Sequence, residues 1–158
     1  MTATTTPFNT LADLYRHVGQ QVFLTDWVKI GQRRIDQFAE ATEDYQWIHV
    51  DAERSARSSL FGGTIAHGFL TLSLLGKFYE DHLTLPFCEM GINYGLNKVR
   101  FTKPVPVNSR VRGRFVLAKV EDISGGIQLT FNVTIEIEGL DKPACVVESV
   151  VRQYFKSA

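Results

Sequence analysis

The chain has 158 residues, 44% of them hydrophobic and 22% charged, which suits one domain with a real core and leaves too little for two. Seventeen Lys and Arg balance seventeen Asp and Glu, so no basic excess marks nucleic acid as the main partner, and low self-repulsion is compatible with oligomers. Cys88 and Cys145 stand in no zinc-ligand spacing, and no apolar run reaches the roughly 18 residues of a membrane span, which leaves a cytoplasmic protein with free thiols as the simplest expectation.

In chain order, "MTATTTPFNT" lacks the basic start and apolar core of a signal peptide. Residues 1–10 read as a flexible lead-in to a single domain over 1–158. Residues 22–28 form an early strand. Residues 33–41 carry Ile35, Phe38 and Ala39 at helical spacing, and Asp51 is placed to cap a second short helix ending at Arg57. Between them "EDYQWIHVD" belongs to a connecting loop. Five residues apart on a regular helix, Asp44 and His49 would differ by about 140° around the axis. On a strand they would face opposite ways. They can converge only where the chain bends.

Residues 64–79, "TIAHGFLTLSLLGKFY", are apolar nearly all round, as in a buried helix. Ala66, Gly68, Ser73 and Gly76 are small enough to let strands pass close to it. Beyond residue 91 the chain reads as strands: 93–101, ended by "KPVPV", whose prolines do not fit a central ladder; then 110–117, 127–138 and 144–155. Ile127, Leu129, Phe131, Val133, Ile135 and Ile137 alternate with polar residues, the period of a half-buried antiparallel strand. "EDISGG" joins that strand to the preceding one as a hairpin. The expected class is α+β: a long curved antiparallel sheet wrapped around a buried helix, the hotdog fold. Its exposed sheet edge invites pairing with a second copy, so at least a homodimer is expected.

"ATEDYQWIHVD" followed by "FGGTIAHGFLTLSLL" resembles the motif of the MaoC-like dehydratases and (R)-specific enoyl-CoA hydratases. That pattern is an Asp, four residues, a His, an acid two further on, and an IAHG segment opening the central helix. "NYGLNKVRFTKPVPVNSRV" resembles the strand that follows in the same family. Gln46-Trp47 is most similar to the branch named after nodulation protein N. Many members carry Gly before the Asp and Asn-Pro in the gap, where this chain has Glu43 and Gln46-Trp47. A serine further along the helix in some members falls near Gly76, and Ser73 is the nearest hydroxyl here.

The resemblance implies reversible hydration of a trans-2-enoyl-CoA to an (R)-3-hydroxyacyl-CoA. Asp44 and His49 would share one water and its protons, and the Gly68 N–H at the helix start would meet the thioester oxygen. No metal or redox cofactor is implied, and coenzyme A enters with the acyl-CoA substrate. Taken singly, Asp44 reads as a turn residue, His49 as a half-buried imidazole, Asp51 as a cap and His67 as a residue that packs or bonds backbone. Asp44, His49, Asp51 and His67 lack the i, i+4 helix spacing of a zinc motif. Tyr45 and Trp47 either line an acyl tunnel or pack. Arg110, Arg112 and Arg114 form a basic face that is solvated or meets phosphates, with Lys98 and Arg100 read in the same way. Two other functions compete: thioester hydrolysis, whose catalytic acid is missing from residues 64–78, and a non-catalytic acyl-binding subunit.

Overall fold

Alternation in the last third of the chain produces a sheet with one sealed face. The structure, a computed structural model describing residues 2–157, runs β1 (Thr4–Thr5), α1 (Leu11–Arg16), β2 (Gln21–Leu24), β3 (Val28–Lys29), α2 (Gln32–Thr42), α3 (Trp47–Val50), α4 (Ala52–Ser58), α5 (Gly68–His82), β4 (Cys88–Phe101), β5 (Arg110–Ile123), β6 (Gly126–Ile137) and β7 (Cys145–Phe155). The sheet is antiparallel in the order β1-β2-β5-β6-β7-β4, and β3 also pairs β5. The inward residues of β6 are buried from Ile127 to Ile137 and share one core with Leu70, Leu72, Leu74, Leu75, Phe78 and Tyr79 of α5. This is the hotdog arrangement expected. Phe115 stacks on Phe23 at 4.1 Å and meets Phe78 edge-on at 6.2 Å. Each such ring contributes about 1.5–3 kcal/mol by leaving water.

Helix and sheet come close from the sheet side. A Cβ on Gly113 of β5 would stand 3.0 Å from the Phe78 ring. Ser73, expected to ease that approach, instead faces solvent. It lies on a stripe with Phe69, Lys77 and Glu80, so α5 is not apolar all round. The helix also starts later than residue 64. Ala66 N–H donates to Val105 O at 2.8 Å, Val107 N–H donates to Thr64 O at 2.9 Å, and Ile65 bridges Pro106. Residues 64–66 are therefore extended, held by the proline-rich segment.

The early strand is split rather than continuous over 22–28. Thr25 N–H donates to Gly113 O and Thr25 Oγ1 accepts from Gly113 N–H, both at 2.9 Å, and the chain then leaves the ladder until Val28. The segment read as a flexible lead-in is anchored: Thr4 and Thr5 pair with β2, and Phe8 is buried in the core. Met1 lies outside the described residues. Strand β4 begins five residues before the expected 93, and it is exposed along most of its length because, among the described residues, it pairs with β7 alone. Cys88 and Cys145 sit at opposite ends of that β4–β7 ladder, opposite Phe155 and Phe101. No helix among the described residues is long and apolar enough to cross a membrane.

Candidate active site

The bend needed at Asp44 is made by its neighbour. Glu43, the C-cap of α2, takes the left-handed conformation with φ 58° and ψ 20°. A side chain there costs roughly 1–2 kcal/mol, and it is the position where the motif often carries Gly. The Asp44 side chain is 54% exposed. Its Oδ1 accepts a long bond from Gln46 N–H at 3.4 Å, as a turn aspartate does.

His49 stands on the one-turn helix α3, not in the loop expected, and is buried. Its Nδ1 lies 2.7 Å from the Ile65 carbonyl. A carbonyl only accepts, so Nδ1 carries the hydrogen and Nε2 of the neutral ring presents a lone pair. Burial pushes the imidazole below the ordinary histidine pKa, against the opposing pull of that hydrogen bond. The partner carbonyl is itself fixed, because Ile65 N–H donates to Ile48 O at 3.1 Å. Gln32 completes the frame: its amide donates to His49 O at 2.7 Å and accepts from Thr64 Oγ1 at 2.5 Å.

His67 is the N-cap residue of α5, 2% exposed. As expected it bonds backbone, with Nε2 2.9 Å from Asp44 O; that nitrogen is also 3.9 Å from Asp44 Oδ2. Its ring stacks on His49 at 3.8 Å and 27°. One oxygen of Asp44 and one nitrogen of each histidine lie within 4.8 Å of one another. A nitrogen of each ring serves a backbone carbonyl, the Ile65 carbonyl for His49 and the Asp44 carbonyl for His67. Asp51, the fourth residue of that imagined set, caps α4 by accepting from Arg54 N–H at 2.8 Å.

Gly68 opens α5, so its N–H has no intrahelical partner and sits at the positive end of the helix. A Cβ there would stand 3.0 Å from the Phe101 ring. Beside it runs a cleft of about 250 Å³ walled by His49, Gly68, Thr71, Phe101, Lys103 and Val105. Asp44 is not part of that wall; it stands outside, on the far more exposed turn.

A family model described as the MaoC-like domain matches residues 14–138. The chain belongs to the MaoC-like dehydratase family. It is 52% identical over 146 residues to 3-hydroxyacyl-thioester dehydratase Z of Mycobacterium tuberculosis, covering 92% of this chain and 96% of that one. It is 48% identical over 136 residues to nodulation protein N of Rhizobium leguminosarum, covering 85% and 84%. The solved (R)-hydratase from A. caviae superposes with a TM-score of 0.67 at 25% identity, covering 85% of this chain and 94% of that one.

Within this MaoC-like domain, the structure gathers Asp44, His49 and Gly68 around one helix tip, and sets other candidates aside. Tyr45 is exposed, Trp47 packs under the Arg54 guanidinium at 4.2 Å, and neither walls the cleft. Ser73 Oγ donates to Leu70 O, and Gly76 lies over Asn93 of β4. The arginines of β5 are engaged with acids: Arg110 with Glu138, Arg112 and Arg114 with Glu136. Burial alone would raise the Glu136 pKa, but the two guanidiniums hold it below the usual carboxylate range. Arg100 is exposed and donates to Val99 O. Sequence reasoning missed Phe101, Lys103 and Gln32. For the first two a signal existed, since "FTKPVP" directly follows a strand of the motif; Gln32 carries none, being an ordinary polar residue at a helix start.

Proposed function

We propose that this protein adds water reversibly to a trans-2-enoyl-CoA to give an (R)-3-hydroxyacyl-CoA. The reading rests on one observation: the Ile65 carbonyl fixes the His49 tautomer, leaving a bare Nε2 on a buried ring whose neighbours are the Asp44 carboxylate and the Gly68 cleft. A water held between Asp44 and His49 attacks Cβ. As its oxygen bonds carbon, its proton passes to the imidazole while the carboxylate accepts its second hydrogen bond. The π electrons of the C=C bond move toward the thioester, whose oxygen receives the Gly68 N–H. The proton then returns to Cα, so one water is added in total. Coenzyme A belongs to the substrate and leaves with the product.

The active unit in this reading is a homodimer. Strand β4 has an unpaired outer edge and exposes Met90, Ile92, Tyr94 and Leu96, with Phe69 and Phe101 nearby. A second copy pairing there would cover both the open ladder and the apolar side chains. Sedimentation should give twice the chain mass, and Ile92→Glu with Leu96→Glu should shift it toward a single chain. A monomeric wild type would refute this.

The activity is tested with crotonyl-CoA and longer enoyl-CoAs, by loss of the enoyl absorbance, with thiol release scored in parallel. Hydration without thiol release is expected. Asp44→Asn and His49→Gln should each lower its rate by at least about 10²-fold. Thiol release instead would mark a thioesterase, and neither signal a binding subunit.

A further inference from the structure

His67 has no part in the hydration step above, yet it touches each component of that site. Its Nε2 donates to the Asp44 carbonyl at 2.9 Å, its ring stacks on His49 at 3.8 Å, and its backbone is the N-cap immediately before Gly68. Phe38 also tilts against the ring at 5.0 Å, so the buried imidazole is packed by two rings and tied by a hydrogen bond.

The turn that carries Asp44 is otherwise weakly tied. Residues 43–46 are all exposed, and Gln46 O is engaged only within the turn, by His49 N–H. Among the described residues, the bond from His67 is the side-chain hydrogen bond that reaches residues 43–46 from outside residues 43–50. A carboxylate must stay within about 2.6–3.2 Å of the proton it handles, and an exposed turn does not guarantee that by itself. The other ring nitrogen of His67, Nδ1, is buried without a hydrogen-bond partner. Buried polar atoms are ordinarily paired, and an apolar side chain would fill this space without leaving one over. What the imidazole offers here is its bond to Asp44.

We propose that His67 is a positioning residue, a single clamped ring that keeps the Asp44 carboxylate, the His49 imidazole and the Gly68 N–H at fixed mutual distances. This rests on the hydration reading of the site. It separates His67 from a residue that merely fills the core, because the bond to Asp44 O, not the bulk of the ring, is what it must supply.

The test uses the full chain with His67→Gln, His67→Asn and His67→Leu, beside Asp44→Asn and His49→Gln as references. Gln carries its amide nitrogen about as far out as imidazole Nε2; Asn falls short. His67→Leu and His67→Asn should lower kcat by about 10²-fold, the scale of a misplacement near 1 Å, with KM within about 3-fold. His67→Gln should recover kcat to within about 10-fold of wild type. Hydrogen exchange at the Tyr45 and Gln46 amides should quicken in the Leu and Asn variants and not in Gln. Equal kcat in the Gln and Asn variants, or a wild-type rate in His67→Leu, overturns the proposal while the two references still lose activity. Should the Leu variant fail to fold, the Gln and Asn pair decides alone. Wild-type rates in both references would sink the hydration reading itself, and this inference with it.

Discussion

The body and the tip of α5 are built on different physics. From Leu72 to Tyr79 the helix buries hydrocarbon and aromatic rings against β5, β6 and β7, and what matters there is area and fit. At the tip, His67 and Gly68 meet Asp44, His49 and Phe101 through individual bonds and one tight ring contact. The body supplies stability that tolerates no cavity, whereas the tip supplies a geometry on which turnover also depends. Substitutions should therefore split into two kinds, one seen by denaturant alone and the other by turnover as well.

The largest effect is expected in the body. Phe131→Ala, which empties the space beneath Tyr79 and Phe115, should lower the unfolding free energy by about 3–5 kcal/mol in a urea titration, while the rate per folded molecule changes by less than about 3-fold. Gly68→Ala at the tip should register in both measurements. Its methyl carbon would meet the Phe101 ring at 3.0 Å, costing about 1–3 kcal/mol and lowering turnover on the order of 10-fold. Adding Phe101→Leu should recover much of both, and a strictly additive double variant would show that the contact is not the cause.

Glu43 offers a finer probe of the turn. Replacing it by Gly relieves about 1–2 kcal/mol of left-handed strain and adds back roughly 0.5–1 kcal/mol of chain entropy. A net gain of about 0.5–1 kcal/mol is expected, and Glu43→Val should destabilise. The smallest effect is set by one proton. Burial lowers the His49 pKa below the ordinary 6.5 or so. Between the folded value and that figure the unfolded chain binds more protons, so stability rises with pH through this window and is lost as the solution is acidified. The His49→Gln variant should lack that dependence in parallel melts at pH 5 to 8. The acid limb of kcat/KM in the wild type should lie below that of an ordinary imidazole.

The same division governs what could be read from residues alone. Strand β6 is legible because its inner face is sealed and its outer face wet, so the period of two is written into Ile127 through Ile137. Strand β4 carries the same period, Cys88, Met90, Ile92, Tyr94 and Leu96 against Glu89, Gly91, Asn93, Gly95 and Asn97, but glycines, which weaken a strand signal, interrupt it, and its first five residues lie outside the range expected. The start of α5 lies later than its apolar run suggests, because apolar residues suit a buried strand as well as a buried helix, and Ile65 and Ala66 are extended by pairing with residues 105 and 106. Asp44 and His49 are legible as a spaced motif, and Asp51 as a cap. What brings the first two together is a left-handed Glu43 and the one-turn helix α3, neither of which has a residue signature. The stacking of His67 on His49 joins residues from separate elements and has no local signal at all.

The two thiols turn the β4–β7 ladder into a clock. Cys145 is fully buried, and burial pushes its pKa up to about 11; Cys88, at the other end, is half-buried, and burial raises its pKa too. Alkylation of native Cys145 thus waits for the strands to part near Phe101, beside the cleft, while alkylation of Cys88 times fraying near Phe155. Mass spectrometry of the two modified peptides would give separate opening rates for the two ends of one ladder, with no engineered label.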